Sequence, residues 1–495
     1  MHDRFGRTSA CALGYSSEKL MYAHPMPHHP SVQVQHAIGS IVGAAVGDAL
    51  GAPFEFQPKG RYSARFPQAM RGGKGEMIGG GPWAAGEFTD DTHMALALAE
   101  SLIAHRSLNA ADIWERWRSW AKTAKDVGIL TRHALARTTH EGAAEHAHRT
   151  NGGKSAGNGS LMRNTPVALF MLRESLDSAL ALAITQSRLT HHDRANDEGV
   201  AIHTAMVRAG IRGEDMFAAL EGVVASFAAE PREHWRALLS PSWSPSDAEF
   251  GNGTVWTCLA QAVWAMRSAN SFEEAVRAAV DLGDDADTVA CVAGSLAGAR
   301  WGIQAIPSRW TTYVHGTMQT PVGEKHYDFV ALQEIARGLL GHAPVPFAPS
   351  EIEGGPTRVH DELPVFAADL TGASKAPTDW AVVSLCRTGG AFASHAIRRE
   401  VFLIDQYEEH DNANPRAALT DAVEAIDALL EENPARSLVV HCHGGKSRTG
   451  FVLKAWAMRR HGWSEREAHA WLMRTWDRVH TKNPVFTRVL REDWR

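Results

Sequence analysis

Two groups of residues in this 495-residue sequence have the types and spacing that chemistry requires. The first is acidic. Gly86-Glu87-Phe88-Thr89-Asp90-Asp91-Thr92 follows a glycine-rich loop and opens an apolar helical pattern from Met94, and Asp281-Leu282-Gly283-Asp284-Asp285-Ala286-Asp287-Thr288 opens another, Val289 to Ala299. One helix N-terminus needs one capping side chain, and acidic residues there gain from the helix dipole. Five carboxylates at two such starts exceed that need and repel one another unless cations compensate them. Ligation by Asp and Thr oxygens alone suits Mg²⁺, or Mn²⁺ and Ca²⁺, rather than zinc.

The second group is a thiol loop. Val439-Val440-His441-Cys442-His443-Gly444-Gly445-Lys446-Ser447-Arg448-Thr449-Gly450 reads as a strand, a glycine-bearing loop and a helix start. Backbone N–H groups from Cys442 through Gly445, Lys446 and Ser447 to Arg448 can curl around an oxyanion at a helix N-terminus. That field favours a thiolate at Cys442, Arg448 offers a bidentate clamp for phosphate oxygens, and Thr449 can hydrogen-bond the sulfur as it leaves. Cys258 and Cys386 read instead as buried, inert thiols.

Residues 38–299 carry further elements in a telling order. Ile38-Gly-Ser-Ile-Val-Gly-Ala-Ala-Val-Gly-Asp-Ala-Leu-Gly-Ala-Pro-Phe-Glu55, Phe88-Thr-Asp-Asp-Thr-His-Met94, Gly157-Asn-Gly-Ser-Leu-Met-Arg163, Thr190-His191 and Gly283-Asp-Asp-Ala-Asp-Thr288 together resemble an ADP-ribosylglycohydrolase of the dinitrogenase-reductase-activating type. The resemblance implies an all-α enzyme that binds two divalent ions, usually Mg²⁺, with Mn²⁺ an alternative. By it Thr89, Asp90, Asp91, Asp285, Asp287 and Thr288 are the metal ligands and Glu55 is a catalytic or gating carboxylate. Asp284 stands where many members have glycine and is left out. The backbone of Gly157, Asn158 and Gly159 and the side chain of Arg163 are expected to approach a pyrophosphate, with His191 a ligand contact or a structural histidine. Two cations at such a site would grip vicinal ribose hydroxyls while positive charge develops at the anomeric carbon.

The thiol loop is similar to the signature of cysteine-dependent phosphatases, His-Cys-x-x-Gly-x-x-Arg-Ser/Thr, at every fixed position. This second resemblance covers about 361–495 and implies a compact dual-specificity-like domain that works through a phosphocysteine. Such a domain needs an upstream general acid; Asp411 lies at about the expected distance before Cys442, with Asp405 as its rival. Gly153-Lys154-Ser155 is no phosphate loop of the nucleotide-binding kind, because His148 stands where its first glycine belongs and no strand precedes it.

The elements that must position these groups follow from pattern and composition. Residues 1–34 mix Gly, Ser, His and Pro and read as a disordered leader, whose histidines lack acidic or cysteine partners for a metal. Residues 35–342 show three- and four-residue apolar spacing almost throughout and read as one all-α domain. Residues 343–360 read as a semi-rigid linker, since Ala343 to Thr357 alone carries four prolines and two glycines. Residues 361–495 alternate short β-branched runs with helical patterns, as a small α/β domain does. Their charge is uneven: 361–435 hold 5 basic and 14 acidic side chains, whereas 436–495 hold 13 and 5, which suits an anion near the loop.

The fold class is therefore multi-domain, an all-α unit followed by an α/β unit. A net charge of −6 opposes non-specific adhesion to nucleic acid or anionic membrane. Five cysteines without CxxC spacing argue against a disulfide framework and for a reducing cytoplasm, and apolar runs are interrupted before membrane-spanning length. The partners expected are an ADP-ribosylated substrate and a phosphomonoester. The alternative is a protein that binds ADP-ribose or phosphate without turnover; the presence of the full ligand and Cys-Arg-Thr sets favours a bifunctional hydrolase.

Overall fold

The computed structural model describes residues 28–347 and 354–494. Its first domain is organised around two helices whose sequences are nearly devoid of bulk where they meet. Helix α1 (Pro30–Gly51) places Gly39, Gly43, Gly47 and Gly51 at four-residue intervals, and the later helix α5 (Ala286–Trp301) answers with Ala290, Gly294 and Gly298. A Cβ on Gly47 would lie 1.9 Å from the Ala290 carbonyl oxygen, and one on Gly298 would lie 1.9 Å from that of Gly39. Backbone meets backbone along this seam. At its end Gly51 packs on the Cα of Asp287, so the seam sets where the second acidic segment stands.

Three further helices surround the pair: α2 (Asp90–His105), α3 (Arg194–Arg212) and α4 (Val255–Ser268). They bury apolar residues in one continuous core, which Trp117, Trp235 and Trp310 from other segments also enter as fully buried side chains. Helix α1, extended to Phe54, is long and apolar enough to cross a membrane, contrary to the sequence expectation, but it is almost wholly enclosed by this core. The domain is mostly rather than wholly helical. An antiparallel hairpin, β1 (His315–Thr320) and β2 (Gly323–Asp328), precedes helix α6 (Phe329–Leu339). Its short segments of Thr, His and Gln carry no clear period-2 signal, yet it braces the segment that leads into Thr89. The Phe88 amide donates to the His315 carbonyl at 3.0 Å, and the Phe88 ring fills the space a side chain on Gly316 would need.

Two expected boundaries shift. Residues 30–34, assigned above to a disordered leader, are helical because Pro30 takes the first helical position, where its missing N–H costs nothing. Residues 1–27 of that leader lie outside the described residues. The expected linker is shorter than 343–360: Thr357–Arg358 form strand β3, paired antiparallel with β4 (Val365–Asp369), and His360 is buried. Residues 348–353 of the linker lie outside the described residues.

The second domain is the α/β unit expected. Its sheet has the order β3-β4-β7-β5-β6, with β5 (Ala381–Ser384), β6 (Arg398–Glu400) and, at the centre, β7 (Leu438–Cys442). Strand β7 runs parallel to both neighbours, pairing Asp369 with Cys442 and Ser384 with His441. Buried on both faces, β5 and β7 read as continuous apolar runs rather than alternations. Helices α7 (Pro415–Glu432), α8 (Ser447–His461) and α9 (Glu465–Met473) complete the domain, and Phe451, Trp456 and Leu472 fill its core.

The domains are docked, not merely tethered. Asp421 of α7 accepts the Ser308 amide with both oxygens at 3.1 Å, and the Tyr313 hydroxyl donates to the Arg398 carbonyl at 3.0 Å. The Thr312 hydroxyl accepts the Glu400 amide at 2.8 Å. Gln35 of α1 donates to the Asp411 carbonyl at 2.7 Å and accepts the Ala413 amide at 3.0 Å.

Candidate functional site

The acidic residues converge at the seam end of α1. Thr89 and Asp90 start α2, Asp285 and Asp287 start α5, and two trios of carboxylates form: Asp48, Asp91 and Asp287, and Glu55, Asp285 and Asp287, each with oxygens within 4.8 Å of one another. Hydroxyls knit them together. Thr89 Oγ1 donates to Asp91 Oδ2 at 3.2 Å, and Thr288 Oγ1 reaches the same oxygen at 3.4 Å. All six residues expected to ligate metal therefore stand in one cluster.

Asp48 is the member that sequence reasoning passed over. Its Oδ1 accepts the Thr89 amide at 2.9 Å, and its Oδ2 accepts the Thr92 amide and hydroxyl, so a residue from another helix caps α2 and orients the acidic pair. The signal was present: an aspartate inside the apolar run Ile41 to Leu50 has no ordinary reason to be there. Asp284, left out above, takes φ 55°, the left-handed region that favours glycine, and its side chain is exposed rather than turned into the cluster.

Burial and mutual repulsion act in one direction on these groups. Burial first, then neighbouring aspartates, pushes Asp90, Asp91 and Asp287 well above the usual carboxylate range. Burial also raises Asp48 to about 6, and burial with Asp285 and Asp126 nearby raises Glu55 to about 7. Asp91 Oδ1 is buried without any hydrogen-bond donor. An orphaned oxygen among crowded Asp and Thr oxygens fits a hard divalent cation.

Above the cluster opens a cavity of about 780 Å³ whose floor includes Glu55, Asp90, Asp285, Asp287 and Thr288. Asp126, unremarked in the sequence, joins Glu55 on its wall. Phe56, Phe250 and Trp256 supply aromatic surface, with the last two rings 5.6 Å apart, and Arg132 and Lys154 supply positive charge. Gly157, Asn158, Gly159 and His191 line it as expected.

Two of the expected substrate contacts are otherwise occupied. Arg163 does not face the cavity: it is fully buried, donates to Gln186 Oε1 at 3.0 Å and Thr190 Oγ1 at 2.8 Å, and lies over the Trp117 ring. It is a strut beneath the loop. The Asn158 amide donates to the Gly253 carbonyl at 3.1 Å, so it is unavailable to a pyrophosphate, and the Asn158 side chain donates to Asp285 Oδ2 at 2.8 Å. Asn158 thus steers a carboxylate. His191 is bonded to the Thr190 hydroxyl, and burial lowers it to about 3, which keeps the ring neutral.

In the second domain, Cys442 ends the central strand and is 2% exposed. The loop behind it is fixed: Gly445 takes φ 63° and accepts Trp476 Nε1 at 2.7 Å on its carbonyl, while the His443 carbonyl accepts the Leu370 amide at 3.2 Å. Lys446 is exposed beside it. Arg448 donates through Nη1 to the Leu385 and Leu403 carbonyls at 2.9 and 3.2 Å and keeps Nε without a partner; the buried Thr449 hydroxyl likewise has none.

The two aspartates proposed as acid are separated by the fold. Asp411 is drawn away to the domain boundary, where Ser31 of α1 donates to its Oδ1 at 2.7 Å. Asp405 sits at the loop instead: its Oδ1 accepts Ser447 Oγ at 2.7 Å and Asn483 Nδ2 at 2.9 Å. Asp405 and Arg448 line a pocket of about 230 Å³ with Cys386 and Glu400, and Phe329 and Gln333 of α6 wall its far side. Burial pushes the Cys386 thiol up to about 12, as an inert cysteine requires.

Comparison with known proteins bears on the first domain. The family model for ADP-ribosylglycohydrolase matches residues 29–344. The ADP-ribosylarginine hydrolase Tri1 of Pseudomonas putida (strain GB-1) is 30% identical over 348 residues, 68% of this chain and 86% of that protein. The ADP-ribosyl-[dinitrogen reductase] glycohydrolase of Rhodospirillum rubrum is 35% identical over 285 residues, 57% of this chain and 90% of its own. A solved structure, an ADP-ribosylglycohydrolase-related protein complex, superimposes with a TM-score of 0.51 at 32% identity, covering 62% of this chain and 98% of that one.

Proposed function

The chain belongs to the ADP-ribosylglycohydrolase family, and from that premise we propose that its first domain is a divalent-cation-dependent hydrolase, with Mg²⁺ the first choice and Mn²⁺ the second, that releases ADP-ribose from modified arginine. The observation that carries the reading is the pair of carboxylate trios sharing Asp287 at the floor of the cavity. When bound, the cations supply electrostatic grip on the vicinal ribose hydroxyls and a more acidic water. The chain's own residues do the rest. Asp48 and Asn158 hold Thr89 and Asp285 in place, the aromatic wall of Phe250 and Trp256 offers a surface for a base, and Glu55 with Asp126 offers two carboxyl groups to a cationic guanidinium leaving group. The test is release of ADP-ribose from ADP-ribosylarginine by purified protein with Mg²⁺, which stops with chelator and returns with metal. Full activity in chelator overturns the metal reading; turnover of a serine-linked substrate alone overturns the arginine reading.

We propose a second activity for the second domain, because Cys442, Arg448 and Thr449 stand together where the central strand β7 turns into helix α8. Cys442 sulfur attacks the phosphorus of a phosphomonoester, the P–O ester bond breaks, and the alcohol leaves with a proton from Asp405. Water then attacks the phosphocysteine, giving its proton to Asp405 and releasing phosphate and thiolate. Arg448 and the loop amides carry the charge of the transferred group. Four free cysteines among the described residues fit a reducing, cytoplasmic setting for such a thiol. Metal-independent hydrolysis of an aryl phosphate tests it, and persistence of that activity in Cys442→Ser overturns it.

A further inference from the structure

The leader histidines lacked a metal partner in the sequence; the fold supplies one from the other domain. His29, just before α1, meets His410 and Asp411 of the second domain, with ring nitrogens and a carboxylate oxygen all within 4.8 Å of one another. The two imidazole rings are 4.3 Å apart between centroids, and His410 Nε2 is 4.0 Å from Asp411 Oδ1. Ser31 ties the group together. Its hydroxyl donates to Asp411 Oδ1 at 2.7 Å and lies 2.7 Å from His29 Nδ1, so the trio is held from beneath by a shared polar contact, as metal-binding histidines and carboxylates are.

We propose that His29, His410 and Asp411 form a transition-metal site, for Zn²⁺ or a neighbour such as Co²⁺ or Ni²⁺, that clamps the two domains across their boundary. The donor set is what separates this site from the acidic centre of the first domain. Two imidazoles and one carboxylate select borderline divalent ions, whereas Asp and Thr oxygens select Mg²⁺ or Mn²⁺. Around a tetrahedral ion with bonds of about 2.0–2.1 Å, donors stand roughly 3.3 Å apart. Both histidines are exposed side chains, so they close that gap by rotation with no movement of the backbone. Glu408 precedes the pair His410 and Asp411 and is exposed, while Glu409 is engaged by Arg488. The clamping role follows from where the ligands stand, on both sides of the domain boundary, and not from a closed four-ligand shell. Because its ligands come from both domains, the ion binds only the docked arrangement and stabilises it by mass action.

The test uses the intact chain in excess Mg²⁺, so that the oxygen-rich centre is already satisfied, titrated with Zn²⁺ by calorimetry and with Co²⁺ by visible absorption. Wild-type protein binds one tight equivalent and shows the d–d bands of nitrogen-ligated Co²⁺. His29→Ala and His410→Ala each weaken that equivalent by about tenfold or more and abolish the bands, whereas His105→Ala, at an exposed position at the end of α2, leaves it unchanged. Zn²⁺ raises the melting temperature of wild type and not of the two variants, which fold normally because both positions are exposed. An undiminished equivalent in either variant, loss of it in His105→Ala, or no tight equivalent in wild type overturns the proposal.

Discussion

The acidic centre of the first domain and the thiol loop of the second solve the problem of holding charge in opposite ways. The thiol loop is contiguous: Cys442 to Thr449 are neighbours in the chain, and one strand, one turn and one helix start arrange them. The acidic centre is assembled from residues as far apart as Asp48 and Thr288, brought together by a glycine seam and by helix starts that cap one another. A contiguous site depends on local backbone conformation and uses the backbone's own N–H groups to meet a negative charge. An assembled site depends on packing and, being made of carboxylates, calls for positive charge from outside the chain. Loss of function should therefore come by different routes in the two places.

The largest effect is expected where one atom does the chemistry. Cys442→Ser lowers aryl phosphate hydrolysis by about 10⁴-fold or more and leaves ADP-ribose release unchanged, as parallel assays on one preparation will read. A fall in both would erase the separation between the regions. Asp91→Ala comes next, with a loss of about 10³-fold in ADP-ribose release, a few kcal/mol of transition-state stabilisation. It also raises the melting temperature in chelator, since it removes a buried carboxylate that repels its neighbours; a lower melting temperature there would mean that the cluster is held by something other than added cations.

Asp405→Asn sharpens the contrast within the second domain. It slows esters with poor leaving groups by about 10²-fold and nitrophenyl esters far less, while Asp411→Asn slows neither. The reverse ranking in steady-state rates would return the acid to Asp411. The smallest effect is on packing. Gly47→Ala costs about 1–3 kcal/mol by overfilling the seam, read by denaturant unfolding, and impairs ADP-ribose release through displacement of Asp287 while leaving the thiol loop's activity intact. Wild-type stability and activity in that variant would show that the seam has slack its geometry denies.

What was legible in the sequence follows the same division. The residues of the thiol loop could be read as one group, because adjacency in the chain is adjacency in space. Of the acidic centre, the two helix starts were legible; Asp48 stood out only as a lone carboxylate in an apolar run, with nothing in the sequence to say which groups it meets, and Asp126 sits in an unpatterned loop. Arg163 was misread for a physical reason: an arginine near a glycine loop suggests a phosphate contact, and only the tertiary structure shows Gln186, Thr190 and Trp117 taking up its guanidinium. Asp411 against Asp405 was a matter of which loop reaches which neighbour, and spacing along the chain does not carry that. The hairpin and the early helix start at Pro30 were missed because short polar strands and a proline at a first helical turn both look like loop.

The docking surface between the domains has a consequence for how the sequence can drift. Most of its bonds join a side chain on one side to the main chain on the other: Asp421 to the Ser308 amide, Tyr313 to the Arg398 carbonyl, Thr312 to the Glu400 amide, and Gln35 to the backbone of residues 411 and 413. A peptide carbonyl is present whatever residue carries it, and a peptide N–H is present in every residue but proline. One partner of each bond is therefore exempt from mutation, proline apart, and no compensating change across the boundary is needed to keep the pair. Related chains with the same two-domain arrangement will show little correlated substitution between the halves, so co-variation will understate how firmly they are joined.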